Sequence, residues 1–194
     1  MLRKIFLLLV SVVFITCGCS ADKDNLYNSI LDRDKIIVGM SFDSKPFGFV
    51  DTDGEVKGFE VDLAREIAAR ILNDKNKVEF KDVTSQDRIK TVDSGNVDMI
   101  ISTMTITPKR KKTVNFSSPY FIAGQAICVR KDSGIESLYD LLNKRIIVEL
   151  GTTGEENIKR FLPNALIQGY SNNSDAINFF KGGYADAITT DDAL

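Results

Sequence analysis

Two continuous apolar runs, one in each half of the chain, constrain the fold more than any other feature of the sequence. They lie at residues 35–40 (KIIVGM) and 145–150 (RIIVEL). Neither run alternates between polar and apolar residues, and this is typical of a parallel strand that is buried on both faces. A loop with turn residues and then a helical pattern follow each run. The repeated strand–loop–helix order predicts two α/β lobes with a ligand cleft between them.

The origin of this repetition has two interpretations. Residues 183–188 (GYADAI) echo residues 95–100 (GNVDMI), as an internal duplication would leave them. Alternatively, any two α/β lobes reuse the same elements without being copies of each other. Both interpretations place ligands at the carboxyl ends of the strands. We predict lobe 1 at residues 35–122, lobe 2 at 123–190 and the start of a return to lobe 1 at 191–194.

A segment rich in hydroxyls and cations follows one strand of lobe 1, at residues 100–112 (IISTMTITPKRKK). We expect Thr107 to cap a helix that begins at the following proline. Cations are unfavourable in the first turn of a helix unless they face solvent or an anion. The segment is therefore either a carboxylate- or phosphate-binding corner, with Thr103, Thr105 and Arg110, or a solvated lysine cluster.

A second hydroxyl-rich helix start follows the apolar run of lobe 2. Thr152 and Thr153 each precede a glutamate by three residues, which is the spacing of a capping box. The two threonines either only cap the helix or also present hydroxyl and N–H groups to a ligand. Asp191 ends the last strand and either holds an ammonium group or caps the next helix. Together, Arg110 and Asp191 would clamp both ends of a zwitterion through charge-assisted hydrogen bonds.

The N-terminus has the pattern of a bacterial secretion signal. Arg3 and Lys4 precede an apolar run at residues 5–15, which is too short for an ordinary transmembrane helix. The small residues and cysteines that follow resemble a lipoprotein box. We therefore predict a lipoprotein signal peptide at residues 1–18 and lipidation, for example with palmitate, at Cys19, with Cys17 as the less favoured site. Residues 19–34 would tether an exported protein to the membrane.

The composition excludes several classes of function. The chain contains no histidine, so catalytic triads and metal sites based on histidine are excluded. Its net charge of −2 gives no reason to expect nucleic acid as a partner. A cysteine pair in the lipoprotein box offers too few ligands for a metal ion. We expect a monomer without a metal or another cofactor.

Six segments, in order along the chain from residue 36 to its end, resemble the polar amino-acid-binding proteins of ABC importers. The segments are VGMSFDSKPFGF (38–49), GFEVDL (58–63), TITPKRKK (105–112), FSSPY (116–120), LGTTG (150–154) and ADAITTD (185–191). The resemblance implies an α/β, two-lobed periplasmic binding protein fold of type II. It also implies a protein that closes on glutamate, aspartate or glutamine and delivers it to a permease.

The same resemblance implies roles for individual residues. Arg110 matches the arginine that holds the α-carboxylate of the ligand, and Asp191 matches the aspartate that holds the α-ammonium. Phe59 matches an aromatic residue that packs on the ligand. Hydroxyl and backbone contacts would come from Thr103, Thr105, Thr152 and Thr153. Arg88 either reaches a side-chain carboxylate of the ligand, as in glutamate- and aspartate-binding members, or is a surface arginine on a helix.

Two other functions are compatible with such a fold. A dehydratase acting on a cyclic acid would need an acid or base at the substrate ring, and a histidine is unavailable. The ammonium partner Asp191 favours binding without catalysis, so we do not expect an enzyme. A ligand-sensing receptor module is disfavoured by the lipoprotein box. Because the family normally continues beyond the position of Asp191, we expect this sequence to be truncated at its C-terminus.

Overall fold

The structure is a computed structural model and describes residues 26–194. The predicted signal peptide, the lipidation site at Cys19 and residues 19–25 of the predicted tether lie outside the described residues. Within residues 26–194, no helix combines the length and the apolar character that are needed to cross a bilayer.

The described part of the chain mixes short helices and strands. The helices are α1 (Leu26–Arg33), α2 (Phe59–Leu72), α3 (Arg88–Asp93), α4 (Thr153–Phe161) and α5 (Asn173–Lys181). The strands are β1 (Ile36–Met40), β2 (Asp43–Ser44), β3 (Gly48–Val50), β4 (Val56–Lys57), β5 (Val78–Asp82), β6 (Met99–Ile100), β7 (Gln125–Val129), β8 (Arg145–Glu149), β9 (Leu166–Tyr170) and β10 (Ala187–Asp191).

Lobe 1 is built on a parallel sheet with the strand order β5–β1–β6. The central strand β1 corresponds to the first apolar run, and its Ile36, Val38 and Met40 are completely buried. These side chains form one core with Val61 and Ala64 of α2. A small antiparallel sheet, β2–β3–β4, lies next to this core and contains the turn-rich segment that follows β1.

Lobe 2 is built on a mixed sheet with the order β7–β10–β8–β9, in which only the pairing of β7 with β10 is antiparallel. The second apolar run forms β8. Its Ile146 packs with Ile158 of α4, whereas Ile147 packs with Ala176 of α5. Because successive side chains of a strand point to opposite faces, this alternation places one helix on each side of the sheet. The prediction of an α/β fold with two lobes is confirmed.

The cationic segment differs from the prediction, because it forms a single 3₁₀ turn, Arg110–Lys112, and not the first turn of an α-helix. Thr107 acts as expected, since its hydroxyl accepts a hydrogen bond from the Arg110 N–H at 3.1 Å. Lys111 and Lys112 are exposed, so the turn has no apolar face to bury. A helix gains most of its stability from packing such a face, and this explains why the turn is not extended.

The segments that enter and leave lobe 2 lie side by side. Asp192 N–H donates to the Gly124 carbonyl at 2.8 Å, and Gly124 N–H donates to Asp192 Oδ1 at 3.0 Å. Strand β10 continues through Asp191, which pairs with Gln125 and lies just past the predicted lobe boundary at residue 190. Asp191 is therefore held at the edge of lobe 2, next to the connection between the lobes.

Candidate functional site

A small cavity lies between the two lobes at the carboxyl ends of β6, β8 and β10. Its free volume is about 30 Å³. The residues that line it come from both lobes: Ser85, Arg88, Thr103, Thr105, Glu149, Thr152, Thr153, Gly154, Thr189, Thr190, Asp191 and Leu194. Six of the eight predicted ligand-binding residues, namely Arg88, Thr103, Thr105, Thr152, Thr153 and Asp191, are thus brought together.

The lobe 1 wall of the cavity is fixed by a buried carboxylate. Oε1 of Glu60, a completely buried residue, accepts hydrogen bonds from the Thr103 N–H and from the Tyr120 hydroxyl, each at 2.6 Å. Thr103 has a φ of 44°, a left-handed conformation that is rare for a β-branched residue. Burial raises the pKa of Glu60, while the hydrogen bonds from Tyr120 and Thr103 oppose this shift. Glu60 thereby holds the loop in a conformation that exposes Thr103 to the cavity.

The lobe 2 wall is the N-terminus of α4. The Thr152 hydroxyl accepts a hydrogen bond from the Glu155 N–H at 3.1 Å, and Glu155 Oε2 accepts one from the Gly151 N–H at 2.8 Å. The predicted capping role of Thr152 is confirmed, and the same residue lines the cavity. Gly151 has a φ of 80°, and a Cβ there would lie 2.8 Å from the backbone of Gln86 in lobe 1. Only glycine allows the two lobes to approach this closely.

Arg88 is the first residue of α3 and is only 3% exposed, so the interpretation of Arg88 as a surface arginine is wrong. Its Nη1 donates to the Ser102 carbonyl at 2.6 Å. Its Nε has no hydrogen-bond partner within residues 26–194. Burial, reinforced by the charge of Arg110, lowers the pKa of Arg88 to about 10, so this guanidinium is still protonated at neutral pH.

Arg110 is not among the residues that line the cavity. Its Nη1 donates to the Thr105 carbonyl at 2.8 Å, and its Nη2 donates to the Gly151 carbonyl of lobe 2 at 2.9 Å. The guanidinium therefore bridges the two lobes through backbone carbonyls. Its role as the holder of the α-carboxylate stays a prediction.

Phe59 also lies away from the cavity lining. The residue is 45% exposed, and its ring packs against Phe47, Tyr120 and Phe121, with ring centroids 6.1–6.2 Å apart. These contacts place Phe59 in an aromatic cluster of lobe 1. The predicted contact between Phe59 and a ligand stays a prediction.

Two carboxylates at neighbouring strand ends give the cavity its negative charge. Burial raises the pKa of Asp191, Asp192 raises it further and Arg88 opposes the shift. Burial likewise raises the pKa of Glu149, which the Ser85 hydrogen bond and the charge of Arg88 oppose. Sequence reasoning missed Glu149, although a single acid inside a run that is otherwise typical of a buried strand is a signal that could have found it.

Direct contacts between the lobes surround the cavity. Asn173 Nδ2 donates to Ser44 Oγ at 3.2 Å, and the Ser174 N–H donates to Asp43 Oδ2 at 2.9 Å. We call these four residues, at the N-terminus of α5 and in β2, the α5–β2 contact. On another side, Lys109 and Glu156 form an ion pair at 2.7 Å. The lobes are thus closed on each other. Separately, the described residues contain no acid, cysteine or histidine cluster that could hold a metal ion.

Two α/β lobes that close on a cavity lined by hydroxyls and by charges of both signs define a protein that encloses a small polar molecule. The sequence agrees with this class. The profile of the bacterial extracellular solute-binding proteins, family 3, matches residues 36–190, and the chain belongs to this family.

Relatives of known name match most of the chain. It is 42% identical to a glutamine-binding protein of Geobacillus stearothermophilus, over 88% of this chain and 66% of that protein. It is 38% identical to the ABC transporter glutamine-binding protein GlnH of Bacillus subtilis, over 100% of this chain and 76% of that protein. The crystal structure of the ancestral amino acid-binding protein AncCDT-1, a precursor of cyclohexadienyl dehydratase, is 43% identical with a TM-score of 0.80, covering 85% of this chain and 72% of that one.

Proposed function

We propose that this protein captures a polar amino acid between its lobes and delivers it to the permease of an ABC importer. The observation that carries the proposal is the presence of Arg88 and Asp191 in one inter-lobe cavity. A zwitterionic amino acid presents one carboxylate and one ammonium group, and each would meet an opposite charge there. Charge-assisted hydrogen bonds of this kind are stronger than neutral ones.

Asp191 is well suited to bind the α-ammonium group. Its carboxylate is partly buried at the end of β10, where burial raises its pKa. A cation next to the carboxylate would favour its ionised form and offset this penalty. Thr189 and Thr190, which precede Asp191 in β10, also line the cavity.

The α-carboxylate has two candidate partners, Arg88 and Arg110. Arg88 lines the cavity and keeps a buried N–H of its Nε without a partner among the described residues. Arg110 uses two of its donors on backbone carbonyls, whereas a guanidinium has five. Arg88→Gln and Arg110→Gln therefore separate these assignments, because the variant that lacks the partner of the α-carboxylate should lose ligand affinity.

Ligand entry would require movement of the lobes. The cavity is lined by residues of both lobes, and direct contacts between the lobes surround it, so an amino acid would enter only when the lobes separate. The connection at Gly124 and Asp192 is a suitable hinge, because few residues link the lobes there. The closed arrangement would then be the state that presents a bound ligand to the permease.

The N-terminal pattern of this sequence supports export and lipid anchoring at Cys19, and the family supports the importer. The N-terminal pattern of charges, apolar run and cysteines favours an exported lipoprotein, and the family consists of extracellular proteins. The resemblance implies glutamine, glutamate or aspartate as the ligand, and the two relatives named above are glutamine-binding proteins. Membrane fractionation after palmitate labelling tests the anchor: Cys19→Ala should abolish labelling, whereas Cys17→Ala should retain it.

Calorimetric titration of the purified protein with each of the common amino acids tests the proposal. At least one polar amino acid should bind. Asp191→Asn and Arg88→Gln should each weaken its binding at least about tenfold, because a hydrogen bond to a charged group contributes about 1.5–3 kcal/mol. Asp132→Asn and Lys90→Gln are matched controls at exposed positions and should bind as the unmodified protein does.

Two results would overturn the proposal. The first is that no amino acid binds, and the second is that the cavity variants bind as tightly as their controls. The similarity to AncCDT-1 adds a further test, because that protein is a precursor of a dehydratase. Incubation with prephenate or arogenate should leave both compounds unchanged, and product formation would indicate an enzyme.

A further inference from the structure

We infer that Glu149 determines the side-chain specificity of the cavity, so that it selects an amino acid whose side chain donates hydrogen bonds and rejects one that carries a side-chain carboxylate. This inference rests on the proposed function, because it concerns the ligand of the same cavity. Of the three predicted ligands, glutamate, aspartate and glutamine, it leaves only glutamine, whose side chain ends in an amide.

The cavity lining carries more acids than cations. Among the described residues that line the cavity, Arg88 is the only cation, whereas Glu149 and Asp191 are both acids. The invariant part of an amino acid uses one charge of each sign. Once Asp191 faces the ammonium and Arg88 faces the carboxylate, Glu149 is left to face the side chain. An ionised carboxylate only accepts hydrogen bonds, so the side chain has to donate them.

The two acids lie at the ends of neighbouring strands. Strands β8 and β10 are parallel neighbours, and Ile147 pairs with Ile188. This register brings Glu149 and Asp191 to the same edge of the sheet. Arg88 acts on both from lobe 1, since it opposes the raised pKa of each carboxyl. One ligand can therefore span the two acids.

Arg88 is not available as the partner of an anionic side chain of the ligand. Its charge already faces Glu149 in the cavity and the buried Glu60 behind it. If Arg110 held the α-carboxylate, Arg88 and Glu149 would remain as a pair whose charges cancel. In both assignments a side-chain carboxylate would add a negative charge that has no free counter-charge. Asp43, which also acts on Glu149, makes this surrounding more negative still.

Glutamine and glutamate are the probes that isolate this effect, because they differ only in an amide in place of a carboxylate. Two carboxylates side by side in a closed cavity repel each other, and such like-charge contacts cost several kcal/mol in binding interfaces. The unmodified protein should therefore bind glutamine at least about tenfold more tightly than glutamate. Arginine, whose side chain also donates hydrogen bonds, serves as a third probe that separates a cationic from a neutral ligand.

The test is calorimetric titration of the unmodified protein and of Glu149→Gln with the three probes at pH 7.5. The substitution removes the charge at nearly constant shape. It should reduce the preference for glutamine over glutamate at least about tenfold, mainly through tighter glutamate binding. Glu136→Gln, at an exposed position of lobe 2, should leave the preference unchanged. Asp191→Asn should weaken both ligands alike, because both carry the same ammonium group.

The outcomes separate this inference from the proposed function. An unchanged preference in Glu149→Gln, or glutamate binding as tightly as glutamine to the unmodified protein, overturns the inference and leaves amino acid capture intact. Tight binding of an amino acid whose side chain cannot donate hydrogen bonds, with no binding of glutamine or arginine, has the same meaning. If no amino acid binds, both fail. If Glu149→Gln does not fold, the preference of the unmodified protein still decides.

Discussion

The α5–β2 contact offers a way to weaken lobe closure without touching the cavity. Asn173 is buried at the first turn of α5 and donates to the Ser44 hydroxyl of lobe 1, which is only 3% exposed. We predict that Asn173→Ala destabilises the closed arrangement while it leaves the cavity lining in place. Alanine is well tolerated in a helix, so α5 itself should persist.

The size of the effect follows from the contact that is lost. A hydrogen bond between neutral groups contributes about 0.5–1.5 kcal/mol, and leaving the buried Ser44 hydroxyl unpaired adds to the cost. A total of about 1–2 kcal/mol corresponds to a five- to thirtyfold change in the closure equilibrium, since about 1.4 kcal/mol is a factor of ten. Where the ligand-free protein is mostly open, the apparent affinity for every ligand falls by this factor.

Calorimetry with several ligands and small-angle scattering of the ligand-free protein measure this effect. The affinity should fall by the same factor for each ligand, and the radius of gyration of Asn173→Ala should be equal to or larger than that of the unmodified protein. Asn178→Ala, on an exposed position of the same helix, is the matched control. An affinity within twofold of the control, or a loss that differs between ligands, would refute the reasoning.

Three further predictions concern the supports of the cavity. Glu60→Ala should lower the free energy of unfolding by about 2–4 kcal/mol, because the Thr103 N–H and the Tyr120 hydroxyl both lose their acceptor. Urea denaturation measures this, with Glu66→Ala at an exposed position of the same helix as the control. Ligand affinity should be constant at pH values well above the raised pKa of Asp191 and should fall as the pH drops through that pKa, because only the ionised carboxylate binds an ammonium group. Calorimetry between pH 4 and 8 measures this affinity. Gly58→Ala should lower the melting temperature, because a Cβ at Gly58 would lie 2.1 Å from a backbone oxygen. Gly54→Ala should lower the melting temperature less, because a Cβ at Gly54 meets nothing within 4 Å.

The elements of both lobes could be predicted from the sequence because their signals are local. A run without polar alternation, such as residues 145–150, is stable only where both faces of a strand are covered, and β8 is covered by α4 and α5. Thr152 followed by Glu155 likewise contains its own capping partners. The position of Asp191 at the end of a strand was enough to predict its place at the cleft.

Only the tertiary structure decided which side chains from distant segments meet. Nothing within α3 indicates that Arg88 is buried, because the groups that surround it, Ser102 and Glu149, come from other segments and from the other lobe. The engagement of Arg110 with the Gly151 carbonyl and the place of Glu149 in the cavity have the same cause. Periodicity and capping determine the face and the ends of each element, whereas long-range packing determines the charges that a ligand encounters.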